Sequence, residues 1–192
     1  MPRITPLSGN RAGLLGRLMN AAARWREGRD FTPLQIVAHS PPMLLPYVQM
    51  SAFSQGRTLL SPQVRALAMH LAAHLNGCAW CMDYGEHLGT RAGVPAQKLS
   101  NVHAYAADPA FSPADRAALA FAEEMTMVGG RVTDETFAEL RRHFSEREVV
   151  ELTLAVAAEN FFNRMNAALG VEEQGFCALP GSRAPAGAAD GA

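Results

Sequence analysis

Apolar residues recur along this chain at helical intervals, and no alternation of period two runs long enough to define a strand. Helix starts repeat one chemistry. Thr32-Pro33-Leu34-Gln35, Ser61-Pro62 and Ser112-Pro113-Ala114-Asp115 each place a hydroxyl before a proline. The hydroxyl accepts an orphan backbone N–H, and proline gives up a donor that has no partner there. Ser145-Glu146-Arg147-Glu148 reads as a capping box, and Thr133-Asp134-Glu135 as a second acidic first turn. These signals predict helices near 11–26, 43–54, 62–75, 78–92, 96–106, 113–128, 134–143 and 146–168. The connections are short: Asn76-Gly77, Gly93-Val94-Pro95, Asp108-Pro109 and Gly129-Gly130. The expected fold is all-α, a bundle of about eight helices.

The last helix carries Val149, Val150, Leu152, Leu154, Val156, Phe161, Phe162 and Met165, apolar on nearly every side, with Glu151 and Glu159 interrupting it. Such a helix is expected to be the buried centre or an oligomer seam. The expected division is a basic N-terminal helix or extension over 1–30, a helical domain over 31–170, and a flexible tail over 171–192. The Ala/Gly/Pro/Ser composition after Pro180 marks the tail most clearly.

Composition narrows the function classes. The chain has 192 residues, 48% hydrophobic and only 7% aromatic, so its core rests on Ala, Leu, Val and Met. A net charge of −1 gives no basic footprint for nucleic acid. No apolar run approaches the roughly 18–20 residues that span a bilayer. Arg3, Arg11, Arg17, Arg24 and Arg26 precede the first acid, Glu27, a pattern shared by transit peptides and basic surface helices. The expected location is the cytoplasm, without membrane attachment. No glycine-rich nucleotide loop or Ser-His-Asp signature occurs, and no cofactor is expected.

Three cysteines are too few for a secreted disulfide framework, and two of them stand in Cys78-Ala79-Trp80-Cys81. Asn76-Gly77 ends the preceding helix, so the pair falls at the start of the next one. There the backbone N–H groups and helix dipole favour a thiolate. A second thiol three residues away can resolve a mixed disulfide or sulfenic acid formed at its partner, and exposure decides which of the two attacks first. Two alternatives stand beside this reading. Both cysteines can be buried small hydrophobes on one helix face. Alternatively, His70, His74, Cys78 and Cys81 can form a zinc set, although their spacing is shorter than in most zinc modules.

With His74-Leu75-Asn76-Gly77-Cys78-Ala79-Trp80-Cys81 in view, the chain resembles the carboxymuconolactone decarboxylase / alkylhydroperoxidase D (AhpD-like) superfamily. Leu88-Gly89, Arg91-Ala92-Gly93-Val94 and the stretch Ser112-Pro113 with Asp115 through Ala122 carry the likeness further, over about residues 40–168. The resemblance implies an AhpD-like helical bundle that forms a homo-oligomer. It also implies a dithiol peroxidase that acts on a hydroperoxide at the expense of a thiol donor. The decarboxylase branch lacks the dithiol, so Cys78 and Cys81 point away from it.

The likeness has gaps. The peroxidase branch has a glutamate where this chain has Ala66, and histidines where it has Trp80 and Gly85. Three proton-handling positions are therefore empty, and the family's relay does not carry over. His87 lies about 120° from Cys81 on an ideal helix and is a poor substitute. Tyr84 is on the Cys81 face but has a high ordinary pKa. His70, one turn after Ala66, is the expected base, completing a catalytic set of Cys78, Cys81 and His70.

His74, Trp80 and Tyr84 are expected to line the site, with Trp80 packed over the dithiol. Cys177 is expected to be a free thiol on the tail, or else a resolving partner that folds back. Met69, Met82, Met125, Met127 and Met165 are expected in the core. The cluster of Asn160, Asn163, Arg164 and Asn166 is expected to cap an interface rather than bind a polar ligand. The leading expectation is a thiol–disulfide peroxidase. Its alternatives are a redox-sensing or small-molecule-binding protein on the same fold, and a zinc-bound structural protein.

Overall fold

In a computed structural model, residues 1–127 and 129–178 are described; the tail composition after Pro180 lies outside them. Among the described residues there are nine α-helices and no strand. These are α1 (Gly13–Glu27), α2 (Thr32–Val37), α3 (Pro41–Ser54), α4 (Pro62–Leu75), α5 (Ala79–Arg91), α6 (Ala96–Ser100), α7 (Pro113–Thr126), α8 (Asp134–His143) and α9 (Glu146–Ala168). The count exceeds the expected eight because Thr32-Pro33 opens a short helix of its own. The segment expected at 96–106 also breaks into α6 and a 3-10 turn at Val102–Ala104.

The caps explain several boundaries. Ser112 and Ser145 form capping boxes with Asp115 and Glu148, and Thr133 accepts from the Thr136 N–H. Ser61 precedes α4 without a side-chain cap bond. Thr32 lies inside α2, whose cap position is Phe31. The Thr32 N–H is instead satisfied from far along the chain, by Gln174 Oε1 at 3.0 Å.

The central helix is α4, not α9. Leu67 through Ala73 are all buried, and α4 packs against α5, α7 and α9. One side of α9 is buried through Leu152, Val156, Glu159, Phe162, Asn163 and Asn166. The other leaves Val150, Leu154 and Phe161 exposed. Leu60, Phe121, Leu140, Leu152 and Val156 belong to one hydrophobic core cluster. Ile36, Cys78, Trp80, Cys81, Tyr84 and Phe176 form another around the cysteines.

Both expected extensions dock on the bundle. In the N-terminal one, Ala12, Asn20 and Glu27 are buried. The first part of the expected tail crosses α5. Phe176 is fully buried, and Asp83 accepts from the Gln174 N–H and the Cys177 N–H, each at 2.9 Å.

Candidate functional site

The turn between α4 and α5 fixes the cysteines. Gly77 adopts φ +62°, the left-handed region that glycine enters without steric cost. The Cys78 N–H then bonds to Ala73 O at 3.1 Å and the Gly77 N–H to His74 O at 3.1 Å, the paired bonds of a Schellman ending. Asn76 ties this turn to α9 by donating to Asn160 Oδ1 at 3.0 Å and Asn163 Oδ1 at 3.1 Å. The chain leaves the turn with Cys78 as the N-cap of α5, its Sγ accepting from the Cys81 N–H at 3.3 Å.

Cys78 and Cys81 are joined as a disulfide with Cα atoms 5.2 Å apart. Neither sulfur-bearing residue meets bulk solvent at the helix start: Cys78 is 2% exposed and Cys81 3%. Cys81 instead forms part of the wall of a partly open cavity of about 280 Å³. Phe31, Tyr47, Met69, Trp80, Tyr84, Leu88 and Phe162 make most of its apolar lining. Glu159 contributes the one acidic side chain among the lining residues, and Arg26, Arg65 and Arg91 contribute guanidinium groups. Arg26 and Arg91 both pair with buried Glu27, at 2.7 and 2.9 Å, and their half-exposed side chains mark the solvent end.

Trp80 packs in one cluster with the cysteines, and its Nε1–H donates to Gln174 Oε1 at 2.6 Å. Phe31, Tyr84 and Phe176 meet its ring edge-on or tilted. Tyr84 is on the cavity wall; burial, with Glu27 adding, holds its hydroxyl protonated far above the ordinary range.

The histidines lie elsewhere. His70 and His74 are not among the residues lining this cavity. His70 Nε2 faces His74 Nε2 at 3.2 Å, and its buried Nδ1 makes no hydrogen bond. Burial, helped by the neighbouring His74, pushes the His70 pKa down to about 3, so this ring is neutral across the physiological range. Its ring fills the space beside Gly85, where an added Cβ would meet His70 Nδ1 at 2.9 Å. Ala66 and Gly85 do line the cavity, so two of the family's proton-handling positions open into it without carrying a proton-handling group. Among the described residues, no group of three or more His, Cys, Asp or Glu is placed to hold a metal ion.

Cys177 is a free thiol, half-buried in a 3-10 turn rather than loose. Burial and the adjacent Asp83 raise its pKa to about 11, the opposite of an activated thiol. Of the methionines, Met69 is buried, Met82, Met125 and Met165 pack against core clusters, and Met127 is 52% exposed.

The polar face of α9 was only half legible. Arg164 is exposed, but Asn163 and Asn166 are fully buried. Asn166 Nδ2 donates to Cys81 Sγ at 3.4 Å, and Asn163 Nδ2 to Glu159 Oε1 at 2.5 Å. Glu159, Asn163 and Asn166 stand at i, i+4 and i+7, so one face of an apolar helix turns its polar groups inward toward the disulfide. That spacing was the signal in the sequence.

Comparison with known proteins agrees with the fold. The model of the carboxymuconolactone decarboxylase family matches residues 47–124. The Bacillus subtilis (strain 168) protein YdfG, itself uncharacterised, is 32% identical over 107 residues, which is 55% of this chain and 73% of the relative. The AhpD core of a peroxidase-related protein from Ralstonia eutropha JMP134 superposes with a TM-score of 0.81 at 16% identity, covering 90% of this chain and 92% of the other. The debrominase Bmp8, in its apo form, superposes with a TM-score of 0.76 at 23% identity over the same shares of the two chains. At these identities, the two structures establish the fold.

Proposed function

Since this chain belongs to the carboxymuconolactone decarboxylase family and has the AhpD-like fold, we propose that it is a thiol–disulfide oxidoreductase that reduces a small organic hydroperoxide. The observation that carries this reading is a cystine with one member, Cys81, on the wall of a partly open, largely apolar pocket. Pockets of this kind hold small apolar ligands, and a bound ligand displaces water from beside the reacting sulfur.

In the reduced protein the Cys81 thiolate attacks the terminal peroxide oxygen. The O–O bond breaks, the alkoxide leaves as the alcohol after taking a proton, and Cys81 becomes a sulfenic acid. The Cys78 thiolate then attacks the Cys81 sulfur, hydroxide leaves as water, and the disulfide forms. A dithiol donor returns two electrons and two protons to restore both thiols. Cys78 suits the resolving role because its N-cap position on α5 stabilises a thiolate one turn from Cys81. The donor and the peroxide are the expected small-molecule partners.

A second reading uses the same two electrons. The flat walls of Phe31, Trp80, Tyr84 and Phe162 suit a planar ring, and the fold is shared with a debrominase. In reductive dehalogenation Cys81 takes the halogen, the ring carbon takes a proton, and Cys78 expels halide as the disulfide closes.

Turnover with dithiothreitol as donor separates the readings. Consumption of cumene hydroperoxide that falls to the uncatalysed rate in Cys81→Ser supports the peroxidase. Halide release from a bromopyrrole, with cumene hydroperoxide untouched, transfers the site to dehalogenation. A disulfide that cycles without either turnover leaves a redox sensor and contradicts both.

A further inference from the structure

A carboxyl group stands in the cavity with Cys81 and has no ion-pair partner among the described residues. Glu159 is buried, and its single hydrogen bond among the described residues is the one from Asn163. Removing a carboxylate from water without a cation is costly, and folds rarely keep such a group where a hydrophobic residue would pack. Position 159 lies on the buried face of α9, and the flanking buried positions Val156 and Phe162 are apolar. Asn163 orients one carboxyl oxygen, and Asn166, one turn further on, reaches Cys81 Sγ. A single helix face therefore positions both the acid and the sulfur.

The other candidate for proton transfer is worse placed. His70 is turned toward His74 and Gly85, and its ring stays neutral. Among groups on the cavity wall, Tyr47 from α3 and Tyr84 from α5 are held protonated by burial. Arg65 from α4, Arg26 from α1 and Arg91 from α5 supply positive charge but no base, and α7 and α8 present no described side chain to the cavity.

We propose that Glu159 is the proton-transfer residue for Cys81: its carboxylate takes the thiol proton as the sulfur attacks, then gives that proton to the departing oxygen. The proton count closes. Cys81 thiol and hydroperoxide become Cys81 sulfenic acid and alcohol, and Glu159 ends as the carboxylate it began as. The second half of this cycle rests on the peroxidase reading, while the first half does not. Burial raises the Glu159 pKa to about 7, so both of its protonation states are populated near neutrality.

The test uses the fully reduced protein and iodoacetamide, which needs deprotonation of Cys81 but no peroxide. Alkylation of Cys81 is followed by peptide mass spectrometry from pH 5 to 9 in wild type, Glu159→Gln and Glu159→Asp, with thermal melts confirming folding. Oxidation by cumene hydroperoxide is measured in parallel. The expected result is an alkylation limb near pH 7 in wild type. In Glu159→Gln that limb moves above pH 8, with at least a tenfold slower reaction at pH 7 and at least a hundredfold slower oxidation by peroxide. Glu159→Asp retains the limb near neutrality. An alkylation profile unchanged in Glu159→Gln overturns the inference. Should that variant not fold, loss of the limb in Glu159→Asp overturns it instead. A Glu159-dependent limb in a protein inert to peroxide supports the proton role and sinks the peroxidase reading alone.

Discussion

At the scale of single residues, Gly85 and His70 compete for one volume. An alanine usually stabilises a helix relative to glycine by about 1 kcal/mol, but here its Cβ would press on an imidazole held in the buried core. Overpacking of this kind costs about 1–3 kcal/mol, so Gly85→Ala is expected to lower stability in urea titrations rather than raise it. His70→Ala should leave the midpoint of Cys81 alkylation where it is, since that ring is not itself among the groups lining the cavity. A shift of that midpoint would return His70 to the proton path. Glu159 has a thermodynamic signature as well. Its folded pKa lies above its ordinary 4.5, so the stability associated with the neutral carboxyl is fully present below pH 4.5. It is lost as pH rises through about 7. The loss is roughly 3 kcal/mol at about 1.4 kcal/mol per unit. Denaturant midpoints across pH 4–8 should show that decline in wild type and flatten in Glu159→Gln. Cys177 is the quiet thiol. With its pKa near 11, it should alkylate far more slowly than Cys81 at pH 7 in the reduced protein.

Among the elements, the segment after α9 carries more structure than its composition implies. Gln174 bonds to Thr32, Trp80 and Asp30 at once, and its carbonyl accepts from Arg29. Asp83 holds the same segment through backbone N–H groups, those of Gln174 and Cys177 among them. Burial opposes its ionisation, but bonds from Cys177, Phe176 and Gln174 bring its pKa below the ordinary value. Phe176→Ala is expected to cost about 3–5 kcal/mol and to alter Trp80 fluorescence, because a fully buried ring contacting Trp80 is removed. An unchanged melting temperature would contradict the docking. The sequence conceals this contact because Gln174 and Phe176 have no periodic neighbours and their partners lie far back along the chain, as Trp80 does, 94 positions before Gln174. By contrast, the starts of α7, α8 and α9 were readable, since Ser112, Thr133 and Ser145 cap within three residues of themselves. Local chemistry prints its outcome in the sequence, whereas distant satisfaction does not. The start of α2, capped by Gln174, falls between the two.

For the molecule as a whole, the all-α class and the position of the dithiol at a helix start followed from periodicity, caps and the Asn76-Gly77 break. The cavity did not, because its walls come from α1, α3, α4, α5 and α9 together. The choice of α4 over α9 as the centre was hidden for a related reason. Both helices are strongly apolar, and only packing decides which one keeps an exposed side. That exposed side of α9, with Val150 and Leu154 one turn apart and Phe161 two turns on, is the basis on which we propose that copies of the chain associate. Sedimentation velocity should show a concentration-dependent oligomer that Leu154→Glu returns to monomer; a monomer at all concentrations would contradict it. The proposed chemistry depends most on Cys81 being the sulfur that meets substrate while Cys78 resolves. The direct measurement treats reduced Cys78→Ser with one equivalent of cumene hydroperoxide and dimedone, then maps the adduct by mass spectrometry. A dimedone adduct on Cys81, absent from Cys81→Ser, is the predicted result. An adduct on Cys78 in Cys81→Ser at the same rate, with none on Cys81, would contradict it.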